Sequence, residues 1–236
     1  MAKVVVLSGA GISAESGIST FRDSDGLWEN HDIKVICNWD SMDKHETTTI
    51  DFYDKLRSNL ATKEPNNTHI VLAKLKKKYP NDIAIITQNI DDLFEKAGLN
   101  KNELIHLHGF LPELRCRKCG KIYNIGYKNT YDFNNGYCKE CDGKLRPNIV
   151  FFGEMAPKYQ DLNNEIKNCE MFVVIGTSGN VIEVNSIAEI MNISILNNLE
   201  PSVAINESSF TKIIYNKASV AINEIAEDIE NYLSKF

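Results

Sequence analysis

The sequence predicts an α/β fold in which a doubly wound parallel sheet carries a helical insertion and a small metal-binding insertion. Three observations predict it. The first is Val4-Val5-Val6-Leu7, an apolar, β-branched run that leads directly into Ser8-Gly9-Ala10-Gly11-Ile12-Ser13-Ala14-Glu15-Ser16-Gly17. A strand that feeds small residues and then a helix-capable segment is how a nucleotide-binding βα unit begins. Its glycines let the backbone approach a pyrophosphate, and the N–H groups of the helix start favour negative charge. The second observation is that three more short apolar runs end in amides, hydroxyls or glycine. Ile83-Ala84-Ile85-Ile86 stops at Thr87-Gln88-Asn89-Ile90-Asp91-Asp92, Met171-Phe172-Val173-Val174-Ile175 at Gly176-Thr177-Ser178-Gly179-Asn180, and Ser194-Ile195-Leu196 at Asn197-Asn198-Leu199-Glu200. In an open parallel sheet ligands bind outside the carboxyl ends of the strands, so four such ends suggest one shared polar crevice. The third is a pair of Cys-x-x-Cys hooks, Cys116/Cys119 and Cys138/Cys141, with residues 120–137 between them.

Bulk properties agree with a globular chain. Its 236 residues can bury one good-sized core and a small module, and 43% hydrophobic with 25% charged residues is ordinary for such a protein. The net charge of −6 argues against nucleic acid as a partner and suits basic protein substrates. No apolar run is long enough for a membrane span. The start of the chain lacks a signal peptide's pattern, so a cytoplasmic location without membrane attachment is expected.

Taken along the chain, a Rossmann-like domain is expected at 1–30, 80–112 and 146–236. The first insertion, 31–79, reads as helical from Asp51–Arg57 and His69–Leu75, split by Pro65-Asn66-Asn67. The second, 113–145, carries the hooks. Four thiolates in two hooks suit a tetrahedral zinc ion with Zn–S near ~2.3 Å, and four cysteines leave no open position for water, so the metal's role would be structural. Two redox pairs or two disulfides are the alternative. Cys37 and Cys169 stand alone and read as small apolar fillers. Ile222, Ile225, Ala226, Ile229 and Leu233 fall on one stripe of a C-terminal helix and read as core packing.

The candidate site residues sit at the strand ends. Gly9-x-Gly11-x-x-Ala14 fits a relaxed dinucleotide fingerprint, and it equally fits a tight turn with no ligand. Uncharged donors and acceptors at the other strand ends suit ribose hydroxyls and a carboxamide. Of the five histidines, His31, His45, His69 and His106 read as structural or solvated. His108 differs: it follows a short apolar stretch, a general base near neutral pKa is needed in such a site, and Gly109 beside it leaves room for a substrate. Asp91 also stands where a helix N-cap would, before Asp92-Leu93-Phe94.

Together the motifs resemble the sirtuin family of NAD-dependent protein-lysine deacylases. The matching segments are Gly9–Gly17, Thr20-Phe21-Arg22-Asp23, Gly26-Leu27-Trp28, Thr87–Asp91, His106–Gly109, the two Cys-x-x-Cys pairs, Arg146–Glu154, Gly176-Thr177-Ser178 and Asn198-Leu199-Glu200-Pro201. They occur in the family's order and cover nearly the whole chain. Ala14 and Phe52-Tyr53 most resemble the bacterial and mitochondrial class. The resemblance implies NAD as co-substrate, one structural zinc held by Cys116, Cys119, Cys138 and Cys141, and acylated lysines of proteins as partners.

The resemblance also implies residue roles. His108 would be the base, with Asn89 orienting ribose or water and Asp91 accepting from the nicotinamide carboxamide. Gly9, Ala10, Gly11, Ser13, Phe21, Arg22, Trp28, Gln88, Ile90, Gly176, Thr177, Ser178, Asn198, Leu199, Glu200 and Ala218 would line the cofactor site. Tyr53, Leu56 and Val150-Phe151-Phe152-Gly153-Glu154 would meet the substrate, the last by β-augmentation. In the implied chemistry the acyl-lysine amide oxygen attacks C1′ of the nicotinamide ribose, nicotinamide leaves, and His108 activates a ribose hydroxyl. Water then releases lysine and O-acyl-ADP-ribose. Protein ADP-ribosyl transfer is permitted by the same NAD chemistry. A hydride-transferring dehydrogenase and a non-catalytic binding module are the more distant readings.

Two departures stand out. Relatives with Ala14 place an arginine three positions after Tyr53, and the pair binds acidic acyl groups such as succinyl. Here that position is Leu56 and arginine follows at Arg57, a step of about 100° around a helix. A preference for neutral acyl groups is therefore expected. The segment Gly179–Asn185 also lacks the proline often found there.

Overall fold

The computed structural model describes residues 2–20 and 33–235. Strand β1 (Val4–Ser8) is buried along its whole length. It lies between β2 (Ile83–Thr87) and β7 (Met171–Ile175), parallel to both, with Val4 in register with Ile83 and with Met171. The full sheet has six parallel strands in the order β3 (Leu104–His106), β2, β1, β7, β8 (Ile193–Asn198), β9 (Lys212–Tyr215). Strands β2 and β3 extend the sheet to one side of β1, and β7, β8 and β9 extend it to the other. The gap between the carboxyl ends of β1 and β7 is therefore a topological switch point, the place where open α/β sheets bind ligands.

The apolar runs are continuous because both faces of the sheet are covered. Val4, Val6, Ile83, Ile85, Val173 and Ile175 face one core, shared with Leu72, Ala73 and Leu75 of α4 (Asn67–Lys78) and Ile222, Ile225 and Ile229 of α8 (Ala218–Leu233). Val5, Leu7, Ile86, Phe172 and Val174 face the other, with Leu162 of α6 (Tyr159–Ile166) and Val184 and Ala188 of α7 (Val184–Glu189). The alternation is the period of two that a pleated strand imposes. The stripe expected on the C-terminal helix is the buried stripe of α8, with Ala226 only partly covered. Each large aliphatic side chain so buried stabilises the fold by about 1.5–3 kcal/mol.

Helix α4 starts where Asn66 accepts from the Thr68 amide at 3.0 Å, and the Asn66 amide group reaches across to the Ile12 carbonyl at 2.7 Å. The cap thus also ties α4 to the turn after β1. Residues 33–79 divide between two neighbourhoods, because α3 (Glu46–Leu60) packs elsewhere. Ile50, Phe52, Tyr53 and Leu60 of α3 join Leu111, Ile149 and Phe151 in a separate core. Those partners belong to, or follow, a second sheet of three antiparallel strands, β5 (Ile122–Asn124), β4 (Gly109–Cys116) and β6 (Leu145–Ile149), in that order. Fully buried Arg57 bolts α3 to this unit. Its Nε donates to the Leu111 carbonyl at 2.8 Å and its guanidinium pairs with Asp54, which accepts from the Thr130 amide at 2.8 Å and hydroxyl at 2.7 Å. Among the described residues no helix is long and apolar enough to cross a membrane.

Candidate active site

Three glycines build the switch point by touching one another. The Gly9 amide donates to the Ile175 carbonyl at 3.0 Å and the Gly11 amide to the Gly176 carbonyl at 2.8 Å. A Cβ on Gly9 would lie 2.7 Å from the Gly176 oxygen, and one on Gly11 2.7 Å from the Gly176 Cα. Gly176 itself has φ +64°, and its Cβ would sit 2.7 Å from the Ile12 nitrogen. The amides of Ile12 and Ser13, in the short helix α1 (Gly11–Ala14), donate to Gly9 and Ala10 carbonyls. Here the expectation from the fingerprint is revised. The amides of Gly9, Gly11, Ile12 and Ser13 are already engaged, so these glycines act first by letting two loops meet, rather than by offering free N–H groups.

From this contact a polar network crosses the strand ends. The Ser13 hydroxyl donates to Asp91 Oδ2 at 2.8 Å and accepts from Asn89 Nδ2 at 2.9 Å. The N-cap of α5 (Leu93–Lys96) is Asp92, not Asp91 as expected, but Asp91 Oδ1, one position earlier, accepts from the Leu93 amide at 3.1 Å while also belonging to the network. Burial pushes the Asp91 carboxyl above its ordinary pKa, against the Ser13 and Leu93 hydrogen bonds. Gln88 donates to the Thr177 hydroxyl at 3.0 Å, and Asn198 donates to the Thr177 carbonyl at 2.9 Å. Residues expected from four strand ends are thereby joined.

The Ser178 carbonyl accepts from Ser202 at 2.7 Å. Leu199 and Glu200 are exposed beyond β8, and Ala218 is buried in the main core at the start of α8. Phe21, Arg22 and Trp28 lie outside the described residues.

His108 stands on the short connection from β3 to β4. Its Nδ1 is 2.9 Å from the Gln88 carbonyl oxygen. A carbonyl only accepts, so Nδ1 carries the proton and Nε2 keeps its lone pair. Nε2 lies 3.0 Å from the Tyr159 hydroxyl. Burial holds the His108 pKa below 6.5, with the Gln88 hydrogen bond opposing. His108 is thus a neutral base at neutral pH. His106 is different: its nitrogens reach Glu95 and the Asn89 carbonyl, both at 2.9 Å. Burial lowers its pKa, but Glu95 reverses the balance and raises it. That is the structural role expected of it.

Gly109 needs a correction. It has φ +90°, and a Cβ there would come 2.2 Å from the Asn148 oxygen. The space a side chain at Gly109 would take is filled by the β6 backbone, so it is not left for substrate.

The segment after β6, expected to meet the substrate, runs beside His108. Val150 donates to the His108 carbonyl at 2.8 Å. The exposed Phe152 pairs through its backbone with the stretch after α2 (Ile33–Ile36): its amide donates to Cys37 at 2.7 Å, and Trp39 donates to its carbonyl at 3.0 Å. Glu154 folds back onto the segment, meeting Arg146 at 2.6 Å and the Phe151 amide at 2.9 Å across the turn at Gly153. Buried Phe151 meets the Tyr53 ring edge-on at 5.6 Å. Leu56 and Ile90 are partly buried against the same cluster. The Tyr53 hydroxyl is 3.2 Å from the Cys37 thiol, so Cys37 is a hydrogen-bonding neighbour of that wall as well as a filler. Tyr159 was not expected from the sequence. It lies 51 positions from His108 with no local motif to mark it.

The hooks converge at the edge of the small sheet. All four Sγ atoms lie within 4.8 Å of one another. The short distances run between hooks, 3.5 Å for Cys116–Cys141 and 3.7 Å for Cys119–Cys138. A tetrahedron with Zn–S near ~2.3 Å needs S···S of about 3.8 Å, whereas a disulfide needs about 2.05 Å. The Lys118 amide points at the Cys116 sulfur at 3.3 Å and the Glu140 amide at Cys138 at 3.4 Å. A Cβ on Gly143 would sit 2.8 Å from the Cys116 sulfur. The cluster fits a four-thiolate zinc ion and not a pair of redox hooks.

A model of the Sir2 family matches residues 9–183 of the chain. An "NAD-dependent protein deacylase" of Campylobacter jejuni is 45% identical over 234 residues, covering 99% of this chain and 98% of that protein. One of Helicobacter hepaticus, of the same description, is 40% identical over 257 residues, covering 98% and 99%. A solved Sir2 homologue in complex with NAD superposes with a TM-score of 0.84 at 29% identity, covering 98% of this chain and 90% of that one.

Proposed function

The chain belongs to the Sir2 family, and from that premise we infer that it is an NAD-dependent protein deacylase. It transfers the acyl group of modified lysines to the ADP-ribosyl part of NAD and releases nicotinamide. The observation that carries this reading is His108, a half-buried neutral base with a fixed tautomer, next to the Ser13–Asn89–Asp91 network at the switch point.

Each group then has a task. NAD supplies the ribose that receives the acyl group. Asn89, Ser13 and Asp91 orient the nicotinamide end, and Asp91 accepts from its carboxamide N–H. The touching loops of Gly9–Gly11 and Gly176–Ser178, with Asn198, take the adenosine half. His108 Nε2 removes the proton from a ribose hydroxyl, and the Gln88 carbonyl steadies the imidazolium that forms. The substrate peptide passes beside 150–154, although the Phe152 backbone is already paired with Cys37 and Trp39 and so is not open for strand addition as expected, and its acyl-lysine passes the apolar wall of Tyr53, Leu56, Ile90 and Phe151. That wall excludes water that would otherwise trap the sugar cation.

Acetyl and longer neutral acyl groups are the preferred cargo. Reduced thiols gathered for zinc suit a cytoplasmic location. The test is an acyl-peptide panel followed by mass spectrometry with and without NAD. One nicotinamide per acyl group removed is expected, and equal deacylation without NAD would overturn the reading. NADH formation would instead point to a dehydrogenase, and ADP-ribose left on protein to a transferase.

A further inference from the structure

We propose that Tyr159 is a positioning residue for the base: its hydroxyl holds His108 Nε2 until the ribose hydroxyl arrives and takes its place. The proposal rests on the deacylase reading for its second half only. With Nδ1 donating to Gln88, the Nε2 lone pair requires a donor, and the Tyr159 O–H at 3.0 Å supplies it. A half-buried nitrogen left without a donor would be a cost, and an imidazole free to turn would lose its aim. Tyr159 is well placed to keep the aim. It opens α6, whose Leu162 is buried in the core of Val5, Leu7 and Phe172, and its own ring leans on that core. Its ring centroid is 6.0 Å from that of His108. The segment 155–158 connects it directly to the substrate segment, so base, positioning hydroxyl and substrate backbone are set by one stretch of chain. Burial raises the Tyr159 pKa, so the phenol keeps its proton and acts as a donor.

The other ionisable groups of the surrounding elements are engaged elsewhere. His106 pairs with Glu95, Asp91 with Ser13, and Glu154 with Arg146. Lys158 and Asp161, on or beside α6, pair with each other at 2.8 Å. Removal of the phenol is therefore read on His108 directly. An O–H pointing at Nε2 favours the neutral ring, since a protonated Nε2 cannot accept. Tyr159→Phe keeps the packed ring, loses the donor, and raises the His108 pKa. One net hydrogen bond corresponds to a shift of about half a unit to one unit.

The experiment is a proton–carbon NMR titration of the histidine rings in the full zinc-loaded chain, wild type against Tyr159→Phe, with the His108 signal assigned by its loss in His108→Asn. A higher His108 midpoint in the variant is expected, and an unchanged midpoint overturns the proposal. The pH profiles test the second half. The acid limb of kcat/KM, which reports the free enzyme, moves to higher pH, while that of kcat, which reports the ternary complex, stays. Equal movement of both limbs would mean that Tyr159 does not yield. Failure of the deacylase reading itself would look different: no NAD-dependent turnover in either protein, with the NMR shift intact.

Discussion

The acyl preference can be worked from three side chains. Tyr53 and Leu56 lie three apart on α3, hence on the same face, and both belong to the apolar cluster that holds Phe151. A succinyl carboxylate arriving there needs a cation, because burying an unpaired charge is costly. The nearest candidate in the sequence is Arg57. It is fully buried, pairs with Asp54 and donates to the Leu111 carbonyl at 2.8 Å and the Lys128 carbonyl at 3.3 Å. Pulling one partner out of a buried ion pair costs roughly 3–5 kcal/mol. A charge-assisted hydrogen bond to succinyl would return about 1.5–3 kcal/mol. The exchange is unfavourable, so Arg57 stays with Asp54. The Tyr53 hydroxyl can donate one hydrogen bond but cannot neutralise the charge, and it already has Cys37 as a neighbour. The missing charge-assisted bond should cost succinyl about ten- to a hundredfold in kcat/KM relative to acetyl. Leu56→Arg should recover about tenfold of that. The assay compares kcat/KM for acetyl and succinyl forms of one peptide with both proteins. If wild type prefers succinyl, the reasoning from Arg57 and Leu56 is refuted.

Four other outcomes are expected. His108→Ala should lower turnover by about 10²–10⁴-fold while calorimetry still shows NAD binding, and near-normal turnover would remove its role as base. His69 is buried with its pKa pushed by desolvation from 6.5 to about 4, so it folds neutral. Between about pH 6.5 and 4 the unfolded chain binds this proton and the folded one does not. Stability should therefore fall by roughly 3 kcal/mol as pH drops through that window. His106 acts in the opposite sense, so the measurement is the urea-derived stability of wild type minus His69→Gln at each pH; a flat difference would contradict the prediction. Cys138→Ser should release zinc, as read by elemental analysis, and expose the small sheet to protease, whereas retained stoichiometric zinc would exclude Cys138 as a ligand. Gly176→Ala combines a left-handed backbone with a Cβ 2.7 Å from the Ile12 nitrogen. It should destabilise by about 2–5 kcal/mol and weaken NAD binding, and an unchanged urea midpoint would argue against the loop contact.

What the sequence revealed and what it hid follow from the range of the forces involved. Signals carried by neighbours along the chain were readable. Val4–Leu7 and Met171–Ile175 are continuous apolar runs because both faces of the strand are buried, and that needs no knowledge of partners. The Cys-x-x-Cys hooks are local turns that bring two sulfurs near each other, so four ligands were legible although their cross-hook distances were not. Weakly patterned elements escaped. β3 has only three residues, and β9 is an edge strand without a fully buried residue, so neither shows a clear period.

The harder misses were contacts between distant segments. Gly109 reads as open space beside a base, yet what decides it is the β6 backbone, some 40 residues away in sequence and 2.2 Å from the missing Cβ. Arg57 reads only as an arginine one step out of register, and what holds it there, Asp54, Leu111 and Lys128, comes from distant chain as well as from its own helix. Tyr159 carries no local mark at all, and its meaning comes entirely from the nitrogen 3.0 Å from its hydroxyl. In each case one-dimensional order identifies the residue type, and the packing of α3, β6 or α6 decides whether that side chain is free to act. The same packing is what the acyl-preference and Tyr159 experiments probe, beyond what shared motifs specify.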